Sequence, residues 1–346
     1  MVEAILNTAR TCVLSQPITT AATADAAPTA LEVTETYIII ALDNGEIHTF
    51  DIHGADKKIL AGSHGVVWAL AAWGDLLASG GSEKVIRIWD LAKGQHYQTL
   101  QGHTSTVRAL HILGGGKRLA SASRDTTLRL WDLANGQCIA VSTMHTGTIR
   151  SLAVTVPENL LVSGSYDGTA CIWRITDNGL VCLHTLRSHE GRKIYGVALN
   201  DVGKQVVTAG ADAQVRIWNQ EDGKCVAVLQ GHSGIVNEIK VHGSKLVTSD
   251  TSGCICIWLL GDSPSMTYRL ETHPSNVISL DFHGWRVVSA GNEGSIKLTD
   301  VVNGELLGNL GKDAEVVWKV AFLGENKVIS VLRREMKVAM EIWNLS

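Results

Sequence analysis

Residues Gly102 to Asp132 read GHTSTVRALHILGGGKRLASASRDTTLRLWD. Gly-His opens the stretch and Trp-Asp closes it. Between them lie three short apolar runs, Val107 to Leu113, Arg118 to Ser123 and Thr127 to Trp131. Each has the length of a strand, and Gly- or Asp-bearing turns separate them, so the pattern predicts a three-stranded meander. A fourth run, Cys138 to Ser142, follows the Asn135-Gly136 turn and completes a four-stranded sheet.

The same cycle recurs along nearly the whole chain. Its closing pair falls at Phe50-Asp51, Trp89-Asp90, Trp131-Asp132, Trp173-Arg174, Trp218-Asn219, Trp258-Leu259, Thr299-Asp300 and Trp343-Asn344, with successive spacings of 39, 42, 42, 45, 40, 41 and 44 residues. Six of the ten tryptophans stand at this position, which a random chain would not produce. A period of about 40 with this punctuation resembles the WD repeat, in which each copy forms one blade of a β-propeller. Eight copies predict an all-β, eight-bladed WD-repeat propeller as a single domain over residues 11–346, with a tail at 1–10. Thr11 to Ser15 reads as a strand ahead of the first copy, and the eighth copy ends after its third strand. The N-terminal strand is therefore expected to complete the last blade and close the ring, removing two sheet edges. Residues 16–30, poor in bulky apolar side chains, are expected to form a flexible loop. Copy eight carries Arg333-Arg334-Glu335-Met336 in place of the usual tight turn and is expected to be irregular.

The repeated polar residues have a structural explanation. His103 precedes the first strand of its copy, Ser121 lies on the second, Asp125 in the following turn and Trp131 on the third. A neutral imidazole donates one hydrogen bond and accepts another, so the four can satisfy one another while half buried. The set recurs as His145, Ser163, Asp167 and Trp173, and again as His189, Thr208, Asp212 and Trp218. Copy two has His64, Ser79 and Trp89 with Glu83 for the aspartate, and copy seven has Thr299 for the tryptophan. These histidines follow the blade period, not one site, and are read as scaffold.

Composition narrows the function. Apolar residues make up 45% of the chain, with 34 glycines and 5 prolines, as suits a turn-rich all-β protein. No apolar run reaches the length of a membrane helix, and a net charge of −4 disfavours binding to nucleic acid through general basic charge. Neither a membrane nor a nucleic acid is expected as partner. Seven cysteines, odd in number and scattered over the copies, read as reduced thiols of an intracellular protein; Cys254 and Cys256 share a strand face as packing residues. Glu3 interrupts any signal-like start, so residence in nucleus or cytoplasm is expected. With no nucleophile–base pair, metal-ligand spacing or phosphate-cradling glycine loop in the sequence, neither an enzyme nor a cofactor is expected.

Loops of a propeller converge on one face, where binding residues should sit. The first-strand position beyond the histidine reads Trp68, Arg108, Arg150, Tyr195, Asn237 and Ile278 in copies two to seven. The position before the turn acid reads Ser82, Arg124, Tyr166, Ala211, Thr251 and Asn292. Three arginines and two tyrosines thus come from adjacent copies three to five. Converging arginines repel unless an anion joins them, and guanidinium groups suit bidentate contact with phosphate, so a phosphorylated side chain is the expected occupant. Arg87, Arg129 and Arg216, which recur beside the blade tryptophan, are expected on the outer blade surface.

Five stretches add a specific resemblance: GVVWAL (Gly65 to Leu70), GHTSTVRAL (Gly102 to Leu110), SRDTTLRLWD (Ser123 to Asp132), GSYDG (Gly164 to Gly168) and DAEVVWKV (Asp313 to Val320). Together they resemble the eight-bladed propeller of the cell-division-control class of F-box/WD-repeat receptors, over essentially the whole chain. The resemblance implies a substrate receptor of an SCF ubiquitin ligase that binds degrons containing phosphothreonine followed by proline. Matched by motif, it implies phosphate-binding roles for Arg108, Arg124 and Arg150 with Tyr166 beside them, and a proline-packing role for Trp68 with Thr106 nearby. After the histidine of copy five that class has Arg-x-Tyr, whereas here Arg192-Lys193-Ile194-Tyr195 is one residue longer, which adds Lys193 and Tyr195 as candidates. The helical F-box of the class is not read in this sequence, so contact with an SCF adaptor would have to come from elsewhere. The competing expectation is a general WD-repeat scaffold whose face binds an unphosphorylated partner.

Overall fold

A computed structural model describes residues 12–18, 26–155, 160–187, 189, 191–200, 202–311 and 314–345. Its strands form eight four-stranded antiparallel sheets, and among the described residues there is no helix. Seven sheets are continuous meanders, spanning 28–60, 67–100, 107–142, 149–186, 194–229, 236–271 and 277–310. These are blades one to seven. The eighth holds Val316–Phe322, Lys327–Arg334 and Lys337–Asn344, with the N-terminal Cys12–Pro17 as its outer strand. Cys12 pairs with Trp343 and Pro17 with Ala339, so the ring is closed as expected by chain segments from opposite ends of the sequence.

Burial explains which sequence makes which strand. In blade three the second strand, RLASAS, is buried from Leu119 onward because neighbouring blades cover both of its faces. The outer strand, CIAVS, is only partly covered. The apolar residues gather into eight clusters, each shared by two adjacent blades: blade three's Trp131 packs with Ala69, Ile86 and Leu100 of blade two, and Trp218 of blade five with Ile172 and Leu186 of blade four. Every seam of the ring therefore has its own small core, so burial is spread around the ring and not gathered in one centre.

The seam between blades six and seven differs. Thr299 replaces the tryptophan there, its buried hydroxyl finds no partner among the described residues, and a cavity of about 330 Å³ opens against Leu270, Thr272 and Leu306. Thr299→Trp is expected to fill this space and to donate its indole N–H to Ser289, raising stability by about 0.5–2 kcal/mol. A lower melting temperature for that variant would contradict this account of the seam.

Two expectations are corrected. Residues 16–30 are not one loop: Gln16 and Pro17 pair with Met340 and Ala339, the Ile18 N–H donates to Val338 O at 2.9 Å with its side chain buried, and Pro28–Val33 is the inner strand of blade one. The short polar run hid this because one buried isoleucine anchors it. The remainder of that loop at 19–25, together with the expected tail at 1–10 and Thr11, lies outside the described residues. Blade eight is also more regular than expected. Glu335 and Met336, with φ of 51° and 60°, form a two-residue turn of the kind that joins a twisted hairpin without any glycine, and two eight-residue strands pair through it without a break.

Candidate functional site

Each inner strand begins with a β-bulge, and the bulges make the site. Register shifts fall between Val67 and Ala69, Val107 and Ala109, Ile149 and Ser151, and Ile194 and Gly196. The extra residues are Trp68, Arg108, Arg150 and Tyr195. A bulge leaves one residue outside the ladder and re-aims its side chain, so these four escape the alternation that would bury them between blades. The turn between second and third strands is tied to the same edge: the N–H of Arg124 donates to Thr106 O at 2.8 Å, that of Tyr166 to Thr148 O at 2.8 Å, and that of Ala211 to Lys193 O at 2.9 Å. Bulge and turn residues of one blade thus share a rim, and blades two to five bring theirs side by side.

The side chains on this arc touch one another. The Arg108 guanidinium lies 4.8 Å from the Trp68 ring centroid, and Trp68 remains 41% exposed. Lys193 sits 5.0 Å over the ring of Tyr166, whose centroid is 5.2 Å from that of Tyr195. Partial burial, then the charge of Arg150 and after it that of Arg124, push the Arg108 pKa down, so both of these charges are felt at Arg108. Among the described residues none of the three arginines has an ion pair. Burial, then Tyr166, raises the pKa of the Tyr195 phenol, while Arg150 opposes the rise.

Beneath the arc a cavity of about 480 Å³ is lined by Trp68, Arg108, Arg150, Glu32, Glu238 and Lys319. Its floor carries mixed charge. Burial raises the Glu32 carboxyl to about 7 against the pull of Lys240, and burial, with Arg150 and Lys240, pushes the Lys319 ammonium down against the pull of Glu238. The sequence reading missed Trp318, the bulge residue of blade eight, which carries Arg333 at 5.5 Å from its ring. It stands one residue past Val317, as Arg108 stands past Val107, and that register was the available signal.

The polar sets hold the rim in place. His103 contacts Asp125 at 2.8 Å and Ser121 at 2.7 Å, and the Trp131 indole donates to the same serine at 2.8 Å. His145 with Asp167, Ser163 and Trp173, and His189 with Asp212, Thr208 and Trp218, repeat this geometry at 2.7–3.0 Å. Blade six holds a set that the sequence reading missed: His232 contacts Thr248 at 2.6 Å and Asp250 at 2.9 Å. Its aspartate ends the second strand instead of sitting in the turn, so the His-to-Asp spacing gave no match. Blade two lacks the set, because His64 is exposed and its backbone N–H, not its ring, meets Glu83. Arg87, Arg129 and Arg216 are not outer-surface residues as expected. Arg87 pairs with Glu83, Arg129 lies over Trp131, and the buried Arg216 donates to Asp212 and meets His189. The turn acid draws the guanidinium inward at Arg87 and Arg216, whereas Arg129 is held by the Thr127 hydroxyl and the Trp131 ring.

These acids make stability depend on pH. Burial opposes ionisation of Asp125, Asp167 and Asp212, but hydrogen bonds from the histidine, from a threonine or Arg216 and, at Asp125 and Asp167, from backbone N–H groups outweigh it. Asp212 is lowered to about 2, and the other two lie well below the usual carboxylate range. Folded values below the unfolded value of about 3.9 give stability that is complete above about pH 4 and is lost as pH falls through the folded values. The melting temperature is expected to drop steeply on acidification below about pH 4, and less steeply in Asp125→Asn. A profile that stays flat on acidification would contradict the assignment.

A blade-by-blade ring with these polar sets defines a WD-repeat propeller. The WD domain, G-beta repeat, matches residues 47–90, 94–132, 136–174, 180–219 and 223–258, more than half of the chain, and the chain belongs to that family. Cell division control protein 4 of Saccharomyces cerevisiae is 28% identical to it over 351 aligned positions, which cover 88% of this chain and 44% of that protein. F-box/WD repeat-containing protein sel-10 of Caenorhabditis elegans is 28% identical over 137 positions, covering 37% and 23%. The chain thus spans less than half the length of these relatives. The crystal structure of the computationally designed Ika8 protein superposes with a TM-score of 0.80 at 25% identity, covering 92% of this chain and 96% of that one.

Proposed function

We propose that this chain is the substrate-recognition propeller of an SCF-type ubiquitin ligase, and that the rim of blades two to five binds phosphothreonine followed by proline. The observation that carries the reading is the placement of Arg108 and Arg150 at equivalent bulges and of Arg124 on the turn tied to the first of them, none of the three in an ion pair among the described residues. Charges of one sign held together are stabilised by a multivalent anion, and a phosphorylated side chain supplies roughly −1.5 to −2 with three acceptor oxygens. Trp68, half exposed beside Arg108, offers the flat apolar surface on which a following proline ring packs. Tyr166, Tyr195 and Lys193 extend the groove, and Thr106 borders it through its carbonyl contact with Arg124. The relatives named as a cell division control protein and as an F-box/WD protein support the same class. In this reading the propeller binds and orients substrate in the nucleus or cytoplasm and makes or breaks no bond itself, while an F-box outside the blades would engage the adaptor.

The test is a binding isotherm for a phosphothreonine-proline peptide at rising ionic strength. Contact through exposed arginines weakens as salt screens it. Affinity is expected to fall about tenfold or more between low salt and a few tenths molar. Salt-independent binding, or none, would favour a scaffold whose partner is unphosphorylated.

A further inference from the structure

Blade six departs from its neighbours at the two positions that face its histidine. Four residues before the blade tryptophan, blades three and four carry Thr127 and Thr169, each with its hydroxyl 3.1 Å from the histidine Nδ1. Two residues before the tryptophan, blade five carries Arg216, whose guanidinium reaches His189 Nδ1 at 2.7 Å. In blade six both positions are thiols, Cys254 and Cys256. Their sulfurs lie 3.8 Å apart, Cys256 Sγ is 3.9 Å from His232 Nδ1, and the three donor atoms fall within 4.8 Å of one another. All three side chains are buried.

We propose that Cys254, Cys256 and His232 form a binding site for a thiophilic divalent cation, zinc foremost. Tetrahedral zinc, with Zn–S of about 2.3 Å and Zn–N of about 2.0–2.1 Å, holds two sulfurs about 3.8 Å apart and a sulfur and nitrogen about 3.6 Å apart. The sulfur–sulfur edge already has that length, and the edges to nitrogen need to shorten. On binding, each thiol releases its proton to solvent, while the ring proton is exchanged from Nδ1 to Nε2, where it is donated to Thr248 Oγ1, so that two thiolates and the Nδ1 of a neutral imidazole present lone pairs to the ion. Thr248 Oγ1, 2.6 Å from Nε2, holds the ring in the required orientation. Asp250 gives up the His232 contact at 2.9 Å but keeps the backbone N–H groups of Ser233 at 3.2 Å and Gly234 at 3.3 Å, so its charge stays beside the cation without losing its support. Three protein ligands leave a fourth position for water or for this carboxylate. The site does not depend on the peptide reading, since blade six lies outside the arginine arc.

The experiment uses the full chain with Cys12→Ser and Cys225→Ser, which removes the two exposed thiols, in a reductant that does not bind metal. Cobalt(II) titration is expected to give a thiolate-to-cobalt charge-transfer band that saturates at about one equivalent. Zinc should abolish the band and raise the melting temperature. Adding Cys254→Thr and Cys256→Arg restores the pattern of blade three, so that variant is expected to fold and to lose both the band and the zinc-dependent shift. Absence of the band in the parent, or its survival in the restored variant, would overturn the site.

Discussion

Arg124→Ala is expected to weaken binding of a phosphothreonine-proline peptide by roughly 30- to 5,000-fold, corresponding to about 2–5 kcal/mol for loss of one partner of a desolvated charged contact. The substitution isolates the charge. Arg124 is exposed at a turn, and its backbone N–H, which donates to Thr106 O at 2.8 Å, survives the change. Folding stability should therefore stay within about 0.5 kcal/mol of the wild type. Arg108→Ala would be less clean, because it also removes the contact with Trp68. Calorimetric titration of both proteins gives the comparison, and an unchanged affinity in Arg124→Ala would remove this arginine from the site.

Trp131→Ala should have the largest effect on stability. The indole is 1% exposed, fills the seam between blades two and three, and donates to Ser121 Oγ at 2.8 Å. Truncating a buried tryptophan costs about 3–5 kcal/mol through lost transfer energy and the cavity left behind. Ser121 also loses a donor on the atom that meets His103. Because that set fixes the turn carrying Arg124, the variant is expected to lose peptide affinity together with stability, whereas Arg124→Ala loses affinity alone. A urea midpoint shift worth less than about 1 kcal/mol would contradict the role given to the seam.

The ring was legible because it is written eight times. A histidine, a small hydroxyl residue, an aspartate and a tryptophan in fixed order identify a blade even where one member is lost, as at Thr299. The rim arginines were legible for the same reason, since Arg108 and Arg150 occupy equivalent positions. What the sequence did not show is why those positions point to the rim: the bulge beside each is a backbone event that no residue type announces. Asp250 escaped notice because it reaches His232 from the end of a strand instead of from a turn. Arg216 was misplaced because a guanidinium was assigned to solvent when the partly buried Asp212 attracts it more strongly. Glu335 and Met336 hid a tight turn that glycine or asparagine would have advertised. Cys254 and Cys256 read as packing until the fold set them against His232.

The most direct measurement is fluorescence anisotropy of one labelled threonine-proline peptide, prepared with and without phosphate, titrated with this chain. Saturable binding of the phosphorylated form, with the unphosphorylated form weaker by at least about two orders of magnitude, is the predicted result. Equal binding of the two forms, or binding of neither, would contradict the assignment of the arginine rim to a phosphorylated substrate.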